Sequence, residues 1–441
     1  MSLSNPVPPP ATATVAQRSG AWAGGSDAPE KTVVRIGFIP LTDCAPVVVA
    51  AAQGFDRKHG LQIIPTREAS WAAVRDKLVC GDLDASHLLY GLLYGLELGI
   101  GGPRKEMAVL MNLNQNGQAI TLSNALRAAG VRDGATLQAH LAATSRKPAL
   151  AHTYPTGTHA LWLNYWLASH GIDPRTAVRS LTVPPPQMVA GLQAGRLDGY
   201  CAGEPWHAQA IAAGCGFTVE TTQGIWPDHP EKVLGSTRAF VQRHPNTARA
   251  MVAALLEACR FIDAQASRAS VAALLAGPAY VDCAPSLLAQ RLEGQYDDGA
   301  GRIWQDPHRV RFHGEGAVNF PWLSDGMWFL TQQRRWGLLR DAPDYEGLAR
   351  KVHQLDLYRE AAAAVQVAVP NAEMRRSVFA DGRVWDGSDA ARYADSFAIG
   401  GGADGAERVR ADHPAAGGAD LRVGSAAPGT DRLNAGGAPA M

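Results

Sequence analysis

The feature that most limits how this chain can fold is an alternation of strand-like and helix-like segments that runs through it twice. "TVVRIGFIP" (32–40) is β-branched, apolar and closed by Pro40, the pattern of a strand buried on both faces. "APVVVAAAQGFDRKHG" follows with helical character and stop signals at Gly54 and Gly60. "LQIIPT", a helix over 71–80 and the strand-like "ASHLLY" complete a first block. A second block repeats the order: the strand "KPALAHTY", the helix "THALWLNYWLASHG", the short strand "SLTVPPP", then helix, turn and strand in "PQMVAGLQAGRLDGYCAGEP". This alternation predicts an α/β fold with mainly parallel sheets. Beyond "WPDHPEK" come the strand-like "VLGST" and a helix over 246–265, with Met251, Val252, Leu255, Cys259 and Ile262 on one face.

Two blocks, the first resumed after the second, describe a two-lobed clamshell with hinge-crossing strands. "NGQAITLS" and "KVLGST" are the candidate crossings. The expected organisation is a disordered segment 1–31, lobe one over 32–120, lobe two over 121–232, and a return to lobe one with C-terminal helices over 233–399. A Gly/Ala-rich tail, 400–441, is expected to be disordered.

Composition excludes several classes. Lys+Arg and Asp+Glu are equal at 41 each, so no global charge pulls the chain to nucleic acid or to an anionic membrane. The longest apolar stretch, "LLYGLLYGL" (88–96), is too short to span a bilayer. The six cysteines form no C-x-x-C pair and no HExxH occurs, so no metal is expected and the thiols read as buried and reduced. The first 31 residues have neither a basic n-region nor an apolar h-region, so the expected location is cytoplasmic, and unpaired cysteines agree with it. "GIGGPR" puts Arg104 where a dinucleotide fingerprint needs its third glycine, and no GxSxG elbow is found, so neither a cofactor nor catalysis is expected.

Five positions remain, each at the end of an expected element, where side chains and N–H groups face outward. Trp71 starts a helix after "REAS", Gln118 follows Gly117, and His159 lies in the first turn after "YPTG". Gly203 lies in "AGEPW", and Lys232 ends "HPEK". Singly, each has a plain alternative: a core indole, a turn amide, a surface imidazole, a Pro-initiated helix, a surface lysine. Together they form an aromatic wall and a set of donors with one positive charge and no carboxylate. That suits a small, singly charged anion, since a doubly charged phosphate usually recruits arginines.

The motifs that hold these residues are "GFIPLTDCAPVVVAAAQGFDRKHGL", "REASWAAVRDKLVCGDLDASH", "NQNGQAITLS", "TYPTGTHALWLNYWLASHGIDP", "GYCAGEPWHAQAI" and "DHPEKVLGSTRAFVQRHP". In this order they resemble the nitrate- and bicarbonate-binding proteins of bacterial ABC transporters, over about residues 32–397. The resemblance implies a two-lobed, type II periplasmic-binding-protein-like fold. It also implies that Trp71, Gln118, His159, the backbone of Gly203, and Lys232 hold nitrate or nitrite. Bicarbonate binders carry an acidic residue, used with calcium, where this chain has Lys232, so no metal is implied. Within the family, the cytoplasmic nitrate sensors of the NasS type also lack a secretion signal. They sequester an RNA-binding antiterminator protein of the NasT type and release it when nitrate binds. The resemblance implies that role here, with no direct contact to nucleic acid or membrane. The alternatives are a periplasmic nitrate-binding component of a transporter, and an enzyme of thiamine-precursor synthesis, which would need a cysteine cluster that this sequence lacks.

Overall fold

The computed structural model describes residues 27–401. The disorder expected of residues 1–26 and 402–441 concerns positions outside the described residues. Residues 27–31, assigned above to a disordered segment, are tied down. The Glu30 carboxylate accepts from the backbone N–H groups of Asn246 and Thr247 at the start of the helix Pro245–Asp263. A carboxylate there meets orphan donors and the positive end of the helix dipole. Lys31 pairs with Asp84 at 2.7 Å.

Ten strands build two sheets. They are β1 (Val33–Phe38), β2 (Gln62–Arg67), β3 (Ala85–Leu89), β4 (Met107–Asn112), β5 (Gln118–Ser123), β6 (Ala149–His152), β7 (Arg179–Thr182), β8 (Gly199–Gly203), β9 (Gly216–Thr221) and β10 (Lys232–Thr237). The first sheet has the order β2-β1-β3-β10-β4, the second β7-β6-β8-β5-β9. In each, the strand that follows a crossing is inserted antiparallel among its neighbours: β10 between β3 and β4, β5 between β8 and β9. Each lobe therefore contributes a strand whose chain has just left the other lobe, which is what makes the pair a clamshell rather than two beads.

The crossings lie at 113–117 and 226–231. The expected boundary at 120/121 falls inside β5, and that at 232/233 falls inside β10, because a crossing must be complete before its strand can enter a ladder. The two crossing segments pair with each other. Leu113 N–H donates to the Lys232 carbonyl at 2.7 Å, and Asn116 N–H to His229 at 3.2 Å. Gln115 adds backbone bonds to Arg311 in a third segment. The amide-rich run before β5 thus stitches the hinge: Asn112 Nδ2 donates to Phe320 O, Asn114 Nδ2 to Asn116 O, and Asn116 Nδ2 to Arg309 O. Gly117 has φ +87°, a left-handed conformation that a Cβ disfavours, and its α-carbon faces Val310.

The residues expected to return to lobe one do so only in part. The hairpin Gln295–Asp297/Ile303–Gln305 reaches lobe two, where Thr218 N–H donates to the Asp298 carbonyl and Arg127 to the Gly299 carbonyl. Behind the hinge, Trp162 of lobe two stacks on Trp328 of the helix Leu323–Arg335 at 4.9 Å, with Trp226 edge-on to both. The expected face of the helix Pro245–Asp263 is buried in full. Of the cysteines, Cys44, Cys201 and Cys259 are buried, Cys215 and Cys283 are half-buried, and Cys80 is exposed, so the uniformly buried set expected above does not hold. No described helix is long and apolar enough to cross a membrane.

Candidate functional site

Both sheets turn the ends of their strands, and the starts of the following helices, to one cleft. Lobe one supplies Asp43 just after β1, Trp71 at the first turn of the helix Trp71–Cys80, His87 on β3 and Lys232 at the start of β10. Ser70 caps the Trp71 helix by accepting from Ala73 N–H. Lobe two supplies Gln118 at the start of β5, His159 in the first turn of the helix Thr158–Ser169, and Gly203 at the end of β8. The structure brings all five expected residues into this region, and all are buried.

The contacts define proton positions. Gln118 Nε2 donates to Asp43 Oδ2 at 3.0 Å, so its Oε1 faces His159 Nε2 at 2.7 Å as an acceptor. His159 therefore carries its proton on Nε2, and its Nδ1 accepts from the Thr153 hydroxyl at 2.7 Å. On the other side His87 Nε2 donates to Asp43 Oδ1 at 2.7 Å. The result is a chain of hydrogen bonds, Thr153–His159–Gln118–Asp43–His87, that runs from lobe two into lobe one. The Gln118 amide, expected to donate to the anion, is engaged by Asp43.

Lys232 is the charge centre. Its Nζ lies 2.8 Å from Asp43 Oδ2 and 2.8 Å from Glu231 Oε1, and 5.9 Å from the centre of the Trp71 ring. The expected site without carboxylates is thus corrected: a fully buried ammonium needs counter-charges, and two carboxylates supply them. Burial lowers the Lys232 affinity for its proton, but Asp43 and then Glu231 outweigh it and hold the ammonium charged. Burial raises the Asp43 carboxyl, yet Lys232 and His87 hold it well below the usual carboxylate range. For Glu231 burial wins, and Lys232 offsets it only in part, leaving that carboxyl at about 7. Burial also keeps His159 and His87 neutral and puts His229 at about 3.

Gly203 stands opposite Gln118 in the β5–β8 ladder. A Cβ there would lie 2.8 Å from Gln118 Oε1 and 3.1 Å from Leu41 of lobe one, so glycine lets the lobes meet over the site. They meet through backbone as well: Thr42 N–H donates to the Glu204 carbonyl at 2.8 Å, and Trp206 Nε1 to the Pro40 carbonyl at 3.1 Å. Next to this seam, Arg291 Nε lies 2.6 Å from Glu204 Oε1 without hydrogen-bond geometry, both side chains buried. The Trp71 indole N–H is also buried, with no acceptor. A donor in that position beside an ammonium suits an oxyanion.

Asp43, His87, Thr153 and Glu231 were not anticipated. Glu231 had a signal, since it adjoins the lysine that was singled out. Asp43 sits 189 positions from Lys232 and had none. Among the described residues no group of three or more His, Cys, Asp or Glu side chains is placed to hold a metal ion.

The profile of the NMT1-like family matches residues 27–276. The chain belongs to this family. It is 33% identical over 387 residues to the nitrate/nitrite binding protein NrtA of Synechocystis sp., covering 85% of this chain and 87% of that protein. It is 36% identical over 382 residues to the nitrate import ATP-binding protein NrtC of the same organism, covering 86% of this chain but spanning only 57% of NrtC. The crystal structure of the periplasmic nitrate-binding protein NrtA from Synechocystis PCC 6803 superposes with a TM-score of 0.81 at 33% identity, over 84% of this chain and all of that one. The alkanesulfonate-binding protein SsuA from Xanthomonas axonopodis shares the fold, at a TM-score of 0.54 and 15% identity over 73% of this chain. The chain is accordingly a two-lobed protein of this family, with the fold of its solute-binding relatives.

Proposed function

We propose that the protein binds nitrate or nitrite in the cleft, and that it works as a cytoplasmic sensor which holds an RNA-binding antiterminator of the NasT type and releases it when the anion binds. The observation that carries anion binding is the buried Lys232 ammonium, set beside an indole N–H without an acceptor and framed by residues of both lobes. The names of the NrtA relatives support nitrate and nitrite as the ligands. The sensor role is supported by the motif resemblance described above. Its physical logic is that an anion held by both lobes favours the closed form, so a partner selective for the open form is released.

The ceiling for very small ligands is about 1.5 kcal/mol per heavy atom, or about 6 kcal/mol for nitrate. That corresponds to a dissociation constant on the order of tens of micromolar. Calorimetry with nitrate, nitrite, bicarbonate and sulfate tests the ligand; no heat with millimolar nitrate overturns it. A pull-down of the antiterminator with titrated nitrate, using the parent and Gln118→Ala, tests the sensor role. The parent should let go as nitrate rises, and the variant should hold on at levels that release the parent. If no antiterminator is retained under any condition, the second reading stands: a periplasmic nitrate-binding component of an ABC transporter, which the overlap with NrtA along nearly its whole length favours.

A further inference from the structure

We propose that the site takes up its anion together with a proton, and that Glu231 carries this proton. The inference rests on the reading that the cleft binds an oxyanion. Its basis is a charge count inside a closed, buried cluster. Lys232 is positive, and Asp43 and Glu231 both touch its ammonium at 2.8 Å. With both carboxyls ionised, the cluster already carries one excess negative charge. A monoanion placed on Lys232 would be the third negative group around one ammonium, in surroundings that screen it poorly.

The neighbours decide which group takes the proton. Asp43 is held as a carboxylate by three donors: Lys232, Gln118 at 3.0 Å and His87 at 2.7 Å. Glu231 has Lys232 on Oε1 and only the Trp162 indole, at 3.3 Å, on Oε2. The other titratable groups around Glu231 are His159 of the helix Thr158–Ser169 and His229 of the crossing segment, each 3.7 Å away, and Cys201 of β8. Asp43 faces it across Lys232 from lobe one, with His87 behind. Burial keeps the three imidazoles neutral near pH 7, so none of them supplies a balancing charge. Burial also sets Glu231 at about 7, where one more negative neighbour tips it to the acid form. Protonation changes the chemistry as well as the charge, because a carboxylic acid donates a hydrogen bond where a carboxylate only accepts. Glu231 would then be a positioning residue that lets Lys232 turn from its carboxylates to the ligand.

The sign follows from linkage. Below the free-state value Glu231 is already protonated and affinity is flat with pH. Above it, each bound anion must bring a proton, and affinity falls about tenfold per pH unit.

The test is calorimetry of the full chain with sodium nitrate, in buffers of different ionisation enthalpy such as Hepes and Tris. The expected result is uptake approaching one proton per nitrate at pH 8 and a dissociation constant that rises about tenfold from pH 8 to 9, with less than about a twofold change from pH 5 to 6. Glu231→Gln keeps the size and an acceptor for Lys232, so nitrate should bind with no proton uptake and no pH slope. A parent proton count near zero overturns the proposal, as does a Glu231→Gln variant that keeps the parental slope, or one that is folded by circular dichroism yet binds no nitrate. If that variant fails to fold, the parent's proton count decides alone. No nitrate heat from the folded parent at any pH removes the oxyanion reading itself, an outcome distinct from binding without a proton.

Discussion

Lys232→Met is the perturbation that most directly tests how the site is held together. It removes the ammonium and leaves Asp43, 3% exposed, and Glu231, 0% exposed, without their shared cation. Deleting one partner of a buried pair costs about 3–5 kcal/mol, because the other charge stays behind in a poor solvent. Here two carboxylates lose the same partner. Asp43 keeps Gln118 and His87, whereas Glu231 keeps only the 3.3 Å bond from Trp162. The loss should therefore reach the upper end of that range, about 5 kcal/mol at pH 8. Without the ammonium, both carboxyls titrate above their unfolded values. Their penalty is full at pH values above the folded pKa and fades as pH falls through it, so the deficit should shrink from pH 8 to pH 5. Urea unfolding followed by tryptophan fluorescence at the two pH values measures this. Adding Asp43→Asn and Glu231→Gln to the variant should return most of the stability. A Lys232→Met protein that unfolds with the parent at pH 8, or whose deficit is the same at both pH values, would refute the reasoning.

Three further outcomes are expected. Gly203→Ala puts a methyl 2.8 Å from Gln118 Oε1 and 3.1 Å from Leu41, so the lobes should close less completely, seen as a larger radius of gyration by small-angle scattering and weaker nitrate binding. Arg291→Ala leaves the buried Glu204 with His207, 3.1 Å away, as its remaining partner, so the cost in urea unfolding should be about 3 kcal/mol, with Glu204→Gln in the same chain recovering part of it. Gly117→Ala forces a Cβ onto a residue at φ +87° and 3.1 Å from Val310, and should lower stability by about 1–2 kcal/mol with little change in secondary structure by circular dichroism.

What the sequence determined by itself was everything with a local signature. Residue periodicity marks which face of an element is buried, so "TVVRIGF" and the Met251–Ile262 stripe could be read directly. Glycine and proline punctuation marks element ends, which is why Trp71, Gln118, His159, Gly203 and Lys232 could be nominated as a set that meets at one cleft. Periodicity does not record what a face is buried against. The antiparallel entry of β5 and β10 depends on ladders between distant strands, and the hinge was accordingly displaced by a few residues in the sequence reading. The amides of 112–116 carry no local sign of what they bond, since their partners Phe320, Arg309 and Asp228 lie about 110 to 210 positions away and make them hinge bonds. The same holds for the electrostatics. A lysine in "HPEK" reads as one positive charge, and only the folded chain sets Asp43 from 189 positions away against it and turns Glu231 inward beside it. Burial then does what no composition can show: it makes the ammonium depend on those two carboxylates, and leaves one of them poised near neutrality.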